Sequence, residues 1–228
     1  MTDKQRHSDA EEASLITDPT EEARRESENA VAQFDRVLDL IDDIVRGARP
    51  FRLRPSIVLD LHRVAMDGLS LYAGTYRPGA VKISDSKHVT PDAHLVPELV
   101  EDMCDYVMEN FDKATPLHLC SYVMWRLNWI HAFPDGNGRT SRAVSYYVLC
   151  SKMGYRLPGS LTIPEQIAAN KTPYYDALEA ADETLQKGSV DLSALEGLLD
   201  GQLAEQLLSA YNDASDPGAA AAVDRKLH

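Results

Sequence analysis

An all-α domain of about eight helices, with one small β insert, is the architecture to expect from these 228 residues. Apolar residues recur at three- and four-residue spacings in one segment after another. Each segment is opened or closed by a capping residue, a proline or a glycine. Strand-type alternation occurs in one place, around Val81, Lys82 and Ile83.

Residues 1–20 are polar and uneven in pattern, and disorder is expected there. An N-terminal unit over 21–50 follows. Its helix, about 21–46, carries Ala30, Phe34, Val37, Leu38, Ile41 and Val45 along one stripe. "RPFRLRPS" then breaks the chain, and a core unit covers 51–190. Pro55 and Ser56 open its first helix, about 56–72, with Val58, Leu61, Val64, Ala65 and Leu69 on the apolar face. The turn pairs Pro78-Gly79 and Asp85-Ser86 bracket the strand signal, so a short hairpin is expected. A helix resumes at about 92–112. Thr115 as N-cap, with Pro116 behind it, starts the next one. Along it Leu117, Cys120, Met124, Leu127 and His131 follow at three- and four-residue steps, so His131 ends the stripe just before Pro134. A helix over about 139–153 stops at Gly154. "TIPE" (162–165) is a capping box, and "TPYYD" (172–176) caps a helix ending near Gly188. A last amphipathic helix covers 191–211, and the small-residue tail, 212–228, is expected to be disordered.

Hydrophobic residues at 44% and charged residues at 26% are ordinary for a soluble globular chain. The net charge of −13 argues against nucleic-acid and acidic-membrane partners, because neutralising phosphates takes a surplus of Lys and Arg. Three cysteines, Cys104, Cys120 and Cys150, are too few and too scattered for a disulfide framework or a zinc site. No apolar run has membrane-spanning length, and the polar start lacks the apolar core of a signal peptide. A reducing cytoplasm is the expected compartment. A homodimer is left open.

The stretch "HAFPDGNGRTSR" (131–142) concentrates the chemistry. One helix ends at His131, a tight turn holds Asp135-Gly136-Asn137-Gly138, and a new helix starts. Successive glycines let backbone N–H groups converge, and the following helix adds its positive N-terminal dipole, which together suit a phosphate. Arg139 and Arg142 share a helical face in a first turn, where cations oppose the dipole unless a polyanion sits between them. Asp135 is a hard carboxylate beside that cradle, suited to Mg²⁺. His131 is the nearby group able to take a proton near neutral pH. "DGNG" alone is a common turn, and the P-loop lysine is absent; the joint pattern is what points to phosphoryl-type transfer.

The same stretch resembles the signature of the Fic domain family, H-x-F-x-[DE]-G-N-G-R-x-x-R, with Ala132 where most members have proline. "LHRVAMDGLSLYAGTYRPGAVKISDSKHVTP" is similar to the family's helix plus β-hairpin flap, and the stretch through "TPYYDALEAAD" to the region after the signature helix. The resemblance covers about residues 56–188. It implies a Fic-type helical bundle and a protein adenylyltransferase. His131 would deprotonate a Ser, Thr or Tyr hydroxyl of a target protein, which attacks the α-phosphate of ATP. Asp135 would hold Mg²⁺. Gly136, Asn137 and Gly138 would form the anion hole, and Arg139 and Arg142 would grip the outer phosphates. Tyr174 and Tyr175 would line the adenine pocket, and Val81, Lys82 and Ile83 would dock the target by strand addition.

Many members are held off by a glutamate in an [ST]-x-x-x-E-[GN] helix. Glu28-Asn29 is the favoured candidate here, although Arg24 occupies the Ser/Thr position; Glu26 and Glu196 are the others. Transfer of UMP or phosphocholine, or removal of AMP, uses the same scaffold in the family. A non-catalytic, ATP-responsive binding module would need the cradle but no base, and the intact His131 argues against it.

Overall fold

The structure, a computed structural model, describes residues 8–9 and 15–215. Among them are two short strands, β1 (Ser8–Asp9) and β2 (Lys82–Ile83), and eight α-helices. The helices are α1 (Pro19–Val45), α2 (Pro55–Ala65), α3 (Val96–Asn110), α4 (Pro116–Ile130), α5 (Asn137–Met153), α6 (Ile163–Ala169), α7 (Thr172–Leu185) and α8 (Ser193–Ser215). The all-α class expected from the sequence is the class observed.

The caps explain the boundaries. Thr115 accepts from the His118 N–H, and Thr162 with Glu165 forms the full capping box. Helix α1 starts at Pro19, earlier than expected, because Asp18 accepts from the Thr20 N–H at 2.8 Å. Helix α7 differs from its expected start: Thr172 lies inside it and Lys171 is the cap, without a side-chain bond. Helix α2 stops at Ala65, short of the expected 72, where the chain turns through Gly68 at φ 68°.

Within the segment where disorder was expected, residues 8–9 form β1; residues 1–7 and 10–14 lie outside the described ones, as does 216–228 of the tail. The expected hairpin is also different. The returning arm turns at Asp85 and is tied back by Thr90 Oγ1, which donates to the Val81 carbonyl, rather than by a backbone ladder. The edge of β2 pairs instead with β1, antiparallel, with Ser8 opposite Ile83 and Asp9 opposite Lys82.

Helices α4 and α5 form the central pair, and α5 also packs on α1, α2 and α6. Most of α5 is buried, small residues included, as befits a helix surrounded on all sides. Helix α1 lies across this core through Val37, Leu40 and Ile41. Its two buried amides meet open carbonyls near the end of α2: Asn29 donates to Asp67 at 2.8 Å and Gln33 to Leu61 at 3.0 Å. That fixes the face that α1 turns toward the α4–α5 loop. The three cysteines are free and buried, and burial pushes Cys104 up to about 12 and Cys150 to about 11. No helix among the described residues is long and apolar enough to cross a membrane.

Candidate active site

The loop between α4 and α5 is built from special backbone positions. His131 closes α4 in the left-handed region at φ 51°, and Gly136 opens α5 at φ 76°. Between them Ala132 and Phe133 are buried. Asn137 straps the loop from inside, accepting from the Phe133 N–H at 2.9 Å and donating to its carbonyl at 2.7 Å.

Two residues from distant segments hold this loop. Arg77 is buried; its Nε donates to the His131 carbonyl at 2.8 Å, its backbone N–H to Ala132, and its remaining nitrogens to Gly79 and Pro91. One guanidinium thereby locks the flap segment to the left-handed turn. His62, on α2, stacks on Phe133 with centroids 3.6 Å apart and 6° between planes. Its Nδ1 accepts from the Gly74 N–H, so Nε2 carries the proton and donates to the Asp135 carbonyl, each at 3.0 Å.

The His131 ring is oriented from below. Nδ1 faces the Asn128 carbonyl at 3.3 Å, and a carbonyl only accepts, so Nδ1 carries the proton. Nε2 is left with its lone pair and meets the Ser8 hydroxyl at 2.8 Å. Burial, before any charge effect, pushes His131 down to about 4, and burial does the same to His62. Both imidazoles are therefore neutral at pH 7. In the unfolded chain they take a proton near 6.5, so between about 4 and 6.5 the unfolded state binds more protons. Stability is full above that window and falls as pH drops through it, by about 2–3 kcal/mol per histidine at pH 4.5. Urea unfolding at pH 7 and 4.5 measures this; equal stability at the two would contradict buried neutral rings.

The signature residues His131, Asp135, Gly136, Asn137, Gly138, Arg139 and Arg142 line one cleft of about 620 Å³, together with Tyr174 and Tyr175. Arg139 donates to Asp135 and to Glu26, both at 3.1 Å. Arg142 has no carboxylate partner among the described residues, and burial pulls its guanidinium below its ordinary value. A desolvated cation with no carboxylate partner among the described residues is suited to an anion. Tyr174 is buried, its hydroxyl accepting from Asn128 at 2.7 Å, so it supports the wall; half-buried Tyr175 faces the cleft. Mg²⁺ is typically held by one or two carboxylates plus substrate phosphates. Asp135, 57% exposed at the mouth, fits that pattern. No group of three or more potential ligand side chains occurs among the described residues.

Other expected positions fall elsewhere. Glu28, the favoured inhibitory carboxylate, pairs with Arg24 on the exposed side of α1. Ala23, Glu26, Ser27 and Ala30 form the face of α1 that lines the cleft, a three- and four-residue pattern that excludes position 28. Glu196 instead accepts from His118 at 2.8 Å on α4, away from the cleft. Of the flap residues, Ile83 lines the cleft, Val81 is buried and Lys82 is exposed. Arg77, His62 and Ser8 escaped the sequence reading because each acts through a partner far along the chain; Asn128 did so although its carbonyl meets His131 three residues on.

The central helix pair thus presents a left-handed histidine, a glycine-opened helix and two arginines to one cleft. Residues 52–149 match the model of the Fic/DOC family. The chain is 28% identical over 128 residues to a protein adenylyltransferase Fic of Drosophila willistoni, covering 55% of this chain and 24% of that protein. It is also 28% identical over 129 residues to a Fido domain-containing protein of Dictyostelium discoideum, covering 54% of this chain and 81% of the relative. Among solved structures, Fic-1 of C. elegans shares the fold at a TM-score of 0.60 and 19% identity, over 92% of this chain and 55% of that one.

Proposed function

We propose that the chain is a protein adenylyltransferase, moving AMP from ATP to a hydroxyl side chain of a protein. The observation that carries this reading is the tautomer of His131: its bare Nε2 already meets a hydroxyl oxygen at 2.8 Å, the geometry of a general base. The match to the Fic/DOC family supports it, since proteins of that family generally transfer nucleotide-phosphate groups to target proteins.

In this reading His131 takes the acceptor's proton while the oxygen attacks the α-phosphorus, and pyrophosphate leaves. The N–H groups at the start of α5 and Arg142, which has no carboxylate partner among the described residues, face the phosphates, so the negative charge is met by groups fixed in advance. Asp135 supplies the carboxylate for Mg²⁺, which neutralises phosphate charge when bound. Tyr175 borders the space left for the base. Incubation with Mg²⁺ and ATP labelled at the α-phosphate tests the reading. Label that survives denaturation is expected on protein with the wild type and not with His131→Ala; label indifferent to that substitution would sink the assignment.

Glu26 gives the site a brake. Both outer nitrogens of Arg139 are engaged by carboxylates, and a triphosphate must displace Glu26 to reach one of them. The pair is part-exposed, so the brake is light. Glu26→Gln is expected to lower the KM for ATP about two- to fivefold, with Glu28→Gln unchanged. Steady-state kinetics on both variants checks this; a larger effect from Glu28→Gln would return the role to that residue.

A further inference from the structure

We propose that Ser8 is itself an acceptor: the chain docks its own N-terminal segment on the flap and adenylylates Ser8 in cis. The proposal rests on the transferase reading above and names a substrate for that site.

Three observations converge on Ser8. Strand β1 occupies the edge of β2, with the Ser8–Ile83 register that places this side chain over the cleft. The Ser8 hydroxyl lies 2.8 Å from the bare Nε2 of His131, across 123 residues of sequence. The Asn137 amide reaches the same oxygen at 3.5 Å. A strand added to a sheet edge fixes which side chain faces inward, so register alone selects the serine.

Two other hydroxyls in the cleft are committed elsewhere. Ser27 donates to the Ala23 carbonyl on its own helix at 3.0 Å, and the Tyr174 hydroxyl sits in the Asn128 and Ser141 network. A segment that only blocked the cleft would need no hydroxyl at this position. Ser8 instead presents a donor to a base that has one lone pair to offer.

The step balances with a nucleoside triphosphate as co-substrate. The Ser8 O–H proton passes to His131 Nε2 as Oγ bonds to the α-phosphorus. The bond from that phosphorus to the bridging oxygen breaks, and pyrophosphate departs with the electron pair. The product is a serine–AMP phosphodiester.

The test is intact-mass measurement and peptide mapping of the full chain incubated with Mg²⁺ and ATP. The chain carrying Glu26→Gln alone is compared with the same chain bearing Ser8→Ala, Ser8→Thr or His131→Asn, so that a braked nucleotide site is not mistaken for a missing acceptor. One AMP on Ser8 is expected, lost with Ser8→Ala and His131→Asn, retained more slowly with Ser8→Thr. The fraction modified per unit time should not change on tenfold dilution. AMP on another residue, unchanged by Ser8→Ala yet lost with His131→Asn, overturns the proposal and leaves the transferase reading standing. Labelling of Ser8 that slows on dilution overturns transfer in cis. No AMP on the chain overturns the proposal, and no pyrophosphate release with any added acceptor protein overturns the transferase reading too.

Discussion

Replacing His131 by asparagine is expected to lower the rate of ATP-dependent pyrophosphate release by about 10²- to 10⁴-fold, the usual worth of a positioned general base. Asparagine is the informative choice because the site is left-handed, at φ 51°, a conformation that asparagine tolerates better than most residues. The backbone turn and its bond from Arg77 should survive, so ATP affinity should be nearly unchanged while the chemical step fails. The substitution also removes one of two buried neutral imidazoles. Stability lost between pH 7 and 4.5 should therefore shrink by about 2–3 kcal/mol relative to wild type. A variant that kept its rate, or lost rate and ATP affinity together, would contradict the assigned role.

The second large effect is expected at Gly136. A Cβ there would lie 2.7 Å from Met66 Sδ and 3.2 Å from the His62 ring, on a backbone with φ +76°. Left-handed strain and overpacking together predict a loss of about 2–4 kcal/mol for Gly136→Ala. The displaced ring is the one that holds the Asp135 carbonyl, so ATP binding should fall as well. Gly138→Ala is the control: its Cβ would approach only Arg142 Nη1, at 3.3 Å, without a positive φ. Urea unfolding of both variants checks this, and equal losses would show that the turn geometry is not what matters.

Much of the frame was legible because its signals are local. A cap such as Thr115, or the Thr162–Glu165 box, acts within one turn of its own helix, so spacing reveals it. Part of the loop from His131 to Arg142 was legible for the same reason: Asn137 straps Phe133, four residues away.

What stayed hidden depends on partners that only folding brings together. His62 reads as one more polar residue until it stacks on Phe133, and Arg77 until it reaches the His131 carbonyl. The motif for a cleft-facing glutamate favoured Glu28, whereas the face of α1 turned to the cleft is set by Asn29 and Gln33 gripping α2. The hairpin expectation followed turn residues and missed that β2 would take its partner from the N-terminus.

The central claim, transfer of the α-phosphoryl nucleotide through His131, is tested most directly by parallel incubation with Mg²⁺ and ATP labelled at either the α- or the γ-phosphate. The prediction is protein-bound label from the α-position alone, absent with His131→Asn. Protein-bound label from the γ-position, or α-label that persists in His131→Asn, would contradict it.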